Sequence, residues 1–180
     1  MVLIISHLTL KTRIGDMWLG GTQKGLFCVN FGAIDTDAVE GLFEGRGGIV
    51  FRKGGSIVEQ AGREILHYLE GKRRRPSVKL DLTGATAFAK RVWRVTGKIP
   101  YGEVRTYAWV AEKVGHPNSA RAVGNALGSN PVPLFIPCHR VVAHDGGLGG
   151  FSGGISIKKL LLALESGQPS LDLDLRQAEE

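Results

Sequence analysis

A chain of 180 residues, 43% apolar and 22% charged, can bury a proper core and has neither a fibrous nor a disordered composition. Its net charge of +6 favours a polyanionic partner without identifying one. No apolar run approaches the roughly 18 residues a membrane span needs. The two cysteines form no disulfide framework and no zinc-site spacing, so no metal is expected.

The opening "MVLIISHLTLK" is apolar for only four residues and lacks a basic n-region and a small-residue cleavage site. The expectation is therefore no signal peptide, a cytoplasmic protein (nuclear in a eukaryotic cell), and cysteines kept reduced. "LIISHLTLK", "GDMWLGG" and "GLFCVNFG" read as strands, rich in β-formers and punctuated by glycine, with "GTQKG" as a hairpin turn. "FEGRGGIVFRKGG" gives no assignment. "SIVEQAGREILHYLEGK" carries a helical stripe at Ile57, Val58, Ala61, Ile65, Leu66 and Leu69, with Ser56 as N-cap and Gly71 as stop. The basic run Lys72 to Arg75 follows. A nucleic-acid contact is one reading; a solvated helix end that complements the macrodipole is the preferred one.

After "PSVKLDLTG" the texture turns helical, placing a domain boundary near Gly84. "ATAFAKRVWRVTGKI" sets Phe88, Val92, Trp93 and Val95 at helical spacing, with Trp93 in the core and Pro100 as the end. "VRTYAWVAEKVG" is a second helix stopped by Gly115. "HPNSARAVGNALGSN" is a third, with Pro117 in its first turn and Gly128 or Asn130 ending it. A closing helix spans Ile155 to Glu165. The expected fold class is α+β. Residues 1–83 form a small β-sheet domain with a helix, structural in role; residues 84–180 form a mostly helical domain containing a helix-turn-helix.

That helix-turn-helix has an unusual second helix. Ala120, Arg121, Ala122, Val123, Gly124, Asn125 and Ala126 present one long side chain among small ones. Such a surface suits close backbone approach to DNA in the minor groove, with Arg121 reaching in. Tight helix packing is the alternative use of the same small residues.

The most unusual stretch is "FIPCHRVVAHDGGLGG", from Phe135 to Gly150. Cys138 is either a small buried hydrophobe or a nucleophile, and a nucleophilic thiol needs a base, because an unassisted one titrates near about 8.5. Side chains of adjacent residues in extended chain point apart, so His139 is expected to reach Cys138 through a bridging water. Glu165 is the candidate orienter of the imidazole. The company of Pro137, Arg140 and the glycines favours the nucleophile.

"NPVPLFIPCHRVV", "GGFSGG" and "KKLLLALE", together with "IPYGEV", "TYAWVA" and "ARAVGNAL", resemble the O6-alkylguanine-DNA alkyltransferases, or methylated-DNA–protein-cysteine methyltransferases. The resemblance runs from about Phe88 to Glu165 and continues more loosely through "GLFCVNF". It implies a repair protein that binds double-stranded DNA through the minor groove, rotates the damaged guanine out and transfers its alkyl group irreversibly to Cys138, in a single turnover without cofactor. His139, a water and Glu165 would form the activating relay, and Asn130 would brace the turn before the active-site segment. Arg121 would fill the gap left by the base, beside Ala120, Ala122, Gly124 and Asn125, while Tyr107 would crowd the adjacent phosphate. Main-chain groups of Cys138 and Val141, with Pro133, Phe151, Ser152 and Gly153, would hold the guanine. A monomer is implied, with cooperative assembly on DNA as a further option.

The family usually carries a tyrosine where this chain has Phe151, which predicts slower chemistry. Three rival readings compete with this one. Non-enzymatic alkyltransferase-like proteins, which bind the lesion only, replace the acceptor cysteine. Alkylation-responsive DNA-binding regulators carry an extra zinc-bound cysteine module. A Cys-His hydrolase has no use for Arg121 on a small-residue helix.

Overall fold

The computed structural model describes residues 2–43 and 48–167. Residues 44–47 of the unassigned glycine-rich stretch and 168–180 of the second expected domain lie outside them.

Strands β1 (Leu3–Thr12), β2 (Gly15–Thr22), β3 (Gly25–Phe31) and β4 (Ile49–Lys53) form one sheet in the order β3-β2-β1-β4. The first three make antiparallel hairpins, with Leu8 opposite Leu19 and Trp18 opposite Asn30. β4, which falls in the unassigned stretch, pairs parallel with β1, Leu3 against Ile49. β2 is apolar on both faces because both are covered. Met17 and Leu19 face α2 (Ser56–Leu69), while Trp18 joins Ile5, Phe27, Phe43 and the Val39 of α1 (Thr36–Gly41) on the other side. α1 has no apolar stripe long enough to be read from sequence; its start is fixed by Asp35, whose carboxylate accepts from the Asp37 amide.

Ser56 is the first residue of α2 rather than its cap. Gly55 takes the cap position at φ 126°, and Glu59 reaches back from the first turn to accept from its amide at 3.1 Å. Gly71 stops the helix as expected: its amide bonds to Tyr68 and that of Lys72 to His67, closing a Schellman motif. The basic run beyond is partly engaged, Arg73 with Glu64 at 3.0 Å and the Arg74 guanidinium over the Tyr101 ring.

The chain then returns along β3. Leu26 and Lys79 bond through their main chains, and the Thr22 hydroxyl donates to Asp81 at 2.6 Å. α3 (Ala87–Thr96) starts at the cap Thr86, and the Trp93 indole donates to the Ala126 carbonyl at 2.7 Å, deep in the core as expected. α4 (Tyr107–Lys113) is capped by Thr106, and α5 (Ala120–Gly128) packs on both α3 and α4.

Pro117 is not in the first turn of α5. α4 ends in a Schellman motif, with Gly115 at φ 82° bonded to Glu112 and His116 bonded to Ala111. Residues 116–119 are used in that turn, so Pro117 is the stop after a helix rather than the start of one. A two-stranded parallel ladder, β5 (Arg105–Thr106) with β6 (Val141–Val142), ties the start of α4 to the segment after Cys138. α6 (Ile155–Glu165) closes the fold. One apolar cluster runs from Met17, Leu19 and Ile65 to Val92, Val110, Val123, Cys138 and Leu161, crossing Gly84. Among the described residues no helix is long and apolar enough to cross a membrane.

Candidate active site

Cys138 is delivered by a tightly determined backbone. Leu134 stands in the left-handed region at φ 74°, a conformation that costs a leucine about 1–2 kcal/mol and needs surrounding bonds to hold it. Asn130 supplies them. Its Nδ2 donates to the Ile136 carbonyl at 2.9 Å, and its Oδ1 accepts from the Val132 amide at 3.1 Å. Pro137 then forms an inverse γ-turn, φ −79° and ψ 63°, in which the Cys138 amide bonds to the Ile136 carbonyl. The same Asn130 Nδ2 lies 3.1 Å from Cys138 Sγ.

The thiol lines a pocket of about 370 Å³ shared by Tyr107, Gly124, Leu127, Gly128, Gly150, Phe151 and Ser152. Burial pushes the Cys138 pKa up; the Asn130 hydrogen bond and the positive charge of Lys158 pull against it. The resting thiol is therefore protonated and needs a base.

His139 is completely buried beside it. Its Nε2 is 3.0 Å from Glu165 Oε1, so the ring points into the interior, towards the carboxylate. Glu165 is a hub. Arg140 donates to it through Nε and Nη2, Tyr68 through its hydroxyl at 2.6 Å, and Gly102 through its amide at 3.1 Å. Burial alone would raise the carboxyl pKa, but the bonds from His139, Arg140 and Tyr68 outweigh it and hold the group at about 2. An ionised Glu165 can only accept, so Nε2 carries the imidazole proton, a tautomer assigned from the network. Burial also lowers the His139 pKa, keeping the ring neutral. The remaining nitrogen, Nδ1, is buried with no hydrogen-bond partner among the described residues, a lone pair free to accept a proton.

The other expected residues divide into three groups. Tyr107, Gly124, Phe151 and Ser152 are brought together with Cys138 around the pocket. Tyr107 lies so close to Gly149 that a Cβ there would come within 2.5 Å of the phenol oxygen. Arg121, Ala122 and Asn125 share the exposed face of α5, with Ala120 half-buried at its start. Val141, Pro133 and Gly153 do not line the pocket. Val141 is buried behind it, its carbonyl already accepting from Lys158 at 2.6 Å; Pro133 is buried in the turn after Asn130; Gly153 abuts the Phe31 ring. Phe151 packs between Phe31 and His139, with ring centroids 5.6 and 6.3 Å away.

A cysteine lining a pocket, a neutral imidazole with a free lone pair, and the helices α4 and α5 that share the pocket wall come together here. The family model described as 6-O-methylguanine DNA methyltransferase, DNA binding domain, matches residues 87–167. A methylated-DNA–protein-cysteine methyltransferase of Methanosarcina acetivorans is 37% identical over 157 residues, covering 86% of this chain and 94% of that one. The chain belongs to the methylated-DNA–protein-cysteine methyltransferase family. The inducible methyltransferase of Bacillus subtilis is 36% identical over 164 residues, covering 89% of each chain. Among solved structures, Mycobacterium tuberculosis OGT in complex with DNA superposes with a TM-score of 0.77 at 34% identity, over 96% of this chain and 99% of that one. The O6-methylguanine-DNA methyltransferase of Pyrococcus kodakaraensis gives 0.67 at 31%, over 89% and 98%.

For a methyltransferase of this family, the roles of three residues of the site are not visible in the amino-acid sequence. Arg140 is the buried counter-charge of Glu165, and its Nη1 also donates to the Ile99 carbonyl at 2.7 Å. Lys158 is fully buried, its ammonium bridging the carbonyls of Val141, Leu148 and Gly150, and burial lowers its pKa to about 8. Helical phase carried a signal, since Lys158, Leu161 and Glu165 are the buried face of α6. Tyr68 follows Ala61 and Ile65 on the buried stripe of α2, but nothing in its own helix indicates what its hydroxyl meets.

Proposed function

We propose that this chain repairs O6-alkylguanine in DNA by transferring the alkyl group to Cys138, and that the residues described above perform that transfer. The observation that carries the residue assignment is the free Nδ1 of a neutral, fully buried His139 beside a pocket-lining cysteine. The Cys138 proton passes to Nδ1 through a bridging water, and Glu165 stabilises the imidazolium that forms. The thiolate attacks the alkyl carbon, the S–C bond forms as the C–O6 bond breaks, and the electron pair leaves with guanine. Guanine takes up the proton that Cys138 gave up. The product is a thioether, so the protein is consumed in one turnover.

The thiol sits in a pocket that a stacked base cannot enter, so the guanine must leave the helix. Extrusion costs a few kcal/mol, less for a damaged and poorly paired base. The exposed face of α5 enters the minor groove, where Ala122 and Gly124 allow close approach and Arg121 fills the gap. Tyr107, at the start of α4, crowds the phosphate beside the extruded nucleotide. In the pocket the guanine meets Ser152 and Phe151. Main-chain groups of Cys138 and the second carbonyl lone pair of Val141 complete its hydrogen bonds, with Pro133 and Gly153 supporting the walls. The protein acts in the cytoplasm as a monomer on double-stranded DNA, and any cooperative assembly shows as a sigmoid binding isotherm. Binding weakens with salt as phosphate contacts release counterions.

The deciding experiment is intact mass after incubation with a duplex containing O6-methylguanine. A gain of one methyl, absent in Cys138→Ser, is expected; an unmodified wild-type chain would sink the reading.

A further inference from the structure

We propose that Tyr68, from α2 in the N-terminal half, is a positioning residue for the transfer: its hydroxyl shares Glu165 Oε1 with His139 and so holds the imidazole neutral with Nδ1 free. The proposal rests on the alkyl-transfer reading above and adds a part to it.

The geometry places three donors on one oxygen. Tyr68 Oη lies 2.6 Å from Oε1, His139 Nε2 lies 3.0 Å from it, and Arg140 Nη2 lies 2.7 Å from it. Tyr68 Oη is also 3.3 Å from Nε2 itself. Because the ionised carboxylate only accepts, the phenol must donate to it. Each donor on Oε1 withdraws some of its charge, and a carboxylate oxygen with less charge pulls less on the Nε2 proton. The imidazolium is then less stabilised, and the neutral ring is favoured.

Packing alone does not account for the hydroxyl. Tyr68 is completely buried, edge-on to Tyr101 at 6.2 Å between centroids, and a phenylalanine would fill that space without burying a polar group. Other groups face the same ring. Burial lowers the proton affinity of His139 most, Glu165 raises it, Arg140 and Lys158 lower it further, and Cys138 is its chain neighbour. Around Tyr68 stand Glu165, Arg140 and Tyr101, with Arg74 over the far side of Tyr101. Of these, Tyr68 alone comes from before Gly84 and bonds directly to the carboxylate. The N-terminal half thus takes part in the chemistry.

The test measures single-turnover transfer from O6-benzylguanine to Cys138 across pH, alongside the ¹⁵N titration of His139. In Tyr68→Phe the acid limb of the rate profile and the ¹⁵N midpoint should both move up, by about half a pH unit to one unit, the threefold to tenfold change in proton affinity expected of one neutral hydrogen bond. Site-specific 3-fluorotyrosine at position 68, a stronger donor that keeps the ring, should move both down. It also decides the matter if Tyr68→Phe does not fold. A purely structural role would lower the rate at every pH without moving either midpoint. Unmoved midpoints in the variants, alongside a wild-type protein that does alkylate Cys138, would overturn the role of Tyr68 and leave the transfer standing. Failure of wild-type alkylation would overturn the transfer itself.

Discussion

The network beneath Cys138 and the outer face of α5 treat their polar groups in opposite ways. Around Glu165 the donors of Tyr68, His139, Arg140 and Gly102 are all engaged inside the protein. On α5, Arg121 and Asn125 are exposed, and their side chains have no hydrogen-bond partner among the described residues. The first arrangement fixes protonation states before any substrate arrives, so that little reorganisation is left for the reaction. The second leaves donors free, which in the proposed mode of binding meet phosphate and base edges. Chemistry and recognition are thus separable, and substitutions should affect them separately.

The largest effect should come from Glu165→Gln, which leaves the Arg140 guanidinium buried without its counter-charge. Breaking a buried pair in this way typically costs about 3–5 kcal/mol, readable as a fall in stability on urea unfolding. Alkyl transfer should also fall by about a hundredfold or more, equally for duplex DNA and for free O6-benzylguanine, because the proton relay serves both. A loss confined to duplex DNA would contradict the separation.

The same interior predicts acid sensitivity. His139 has its pKa lowered from 6.5 by burial, and Glu165 is held at about 2 instead of 4.5. In both cases the unfolded chain binds the proton more readily than the folded one. The stability that these two groups contribute is therefore complete above pH about 6.5 and declines as the pH falls, first through His139 and then, between about 4.5 and 2, through Glu165. Urea midpoints measured against pH should show both stages. The lower one should vanish in Glu165→Gln, and its persistence would assign the acid step elsewhere.

The two regions also differ in how far they could be read from the amino-acid sequence. Cys138, His139 and Glu165 stood out by residue type and surroundings, and α6 occupies the expected span from Ile155 to Glu165. What sequence could not show was convergence: Tyr68 and Glu165 lie 97 residues apart and meet at 2.6 Å. Arg140 looked like part of a motif rather than a buried counter-ion, because an arginine's burial depends on a carboxylate that tertiary packing delivers. Ser56 and Pro117 stand outside their expected positions for a local reason. Each is a common helix-start residue, but Gly55 and the turn at Gly115 had already taken the positions that decide the helix end.

A smaller and more selective effect is expected for Arg121→Ala. The side chain is exposed, so stability should change by less than about 0.5 kcal/mol. Transfer from duplex DNA should fall about tenfold to a hundredfold, since the unstacking penalty of a few kcal/mol loses its compensation. Reaction with free O6-benzylguanine, which needs no extrusion, should be nearly unaffected. Equal losses on both substrates would remove Arg121 from base extrusion and join the two regions that the comparison separates.

The smallest effect lies where the regions meet. Phe151 lines the pocket yet also touches the interior, edge-on to the His139 ring at 6.3 Å between centroids. It can pack against a guanine but offers no donor to the base as negative charge develops on leaving. Phe151→Tyr keeps the packing surface and adds one hydroxyl to a half-buried ring. A neutral hydrogen bond formed as the guanine departs contributes about 0.5–1.5 kcal/mol, so single-turnover transfer should rise roughly twofold to tenfold. The gain should be the same for duplex and free base, because the new donor acts on the leaving group and not on extrusion. An unchanged rate would mean that Ser152 or a water already supplies that proton, and that the absent phenol is no handicap to this chain.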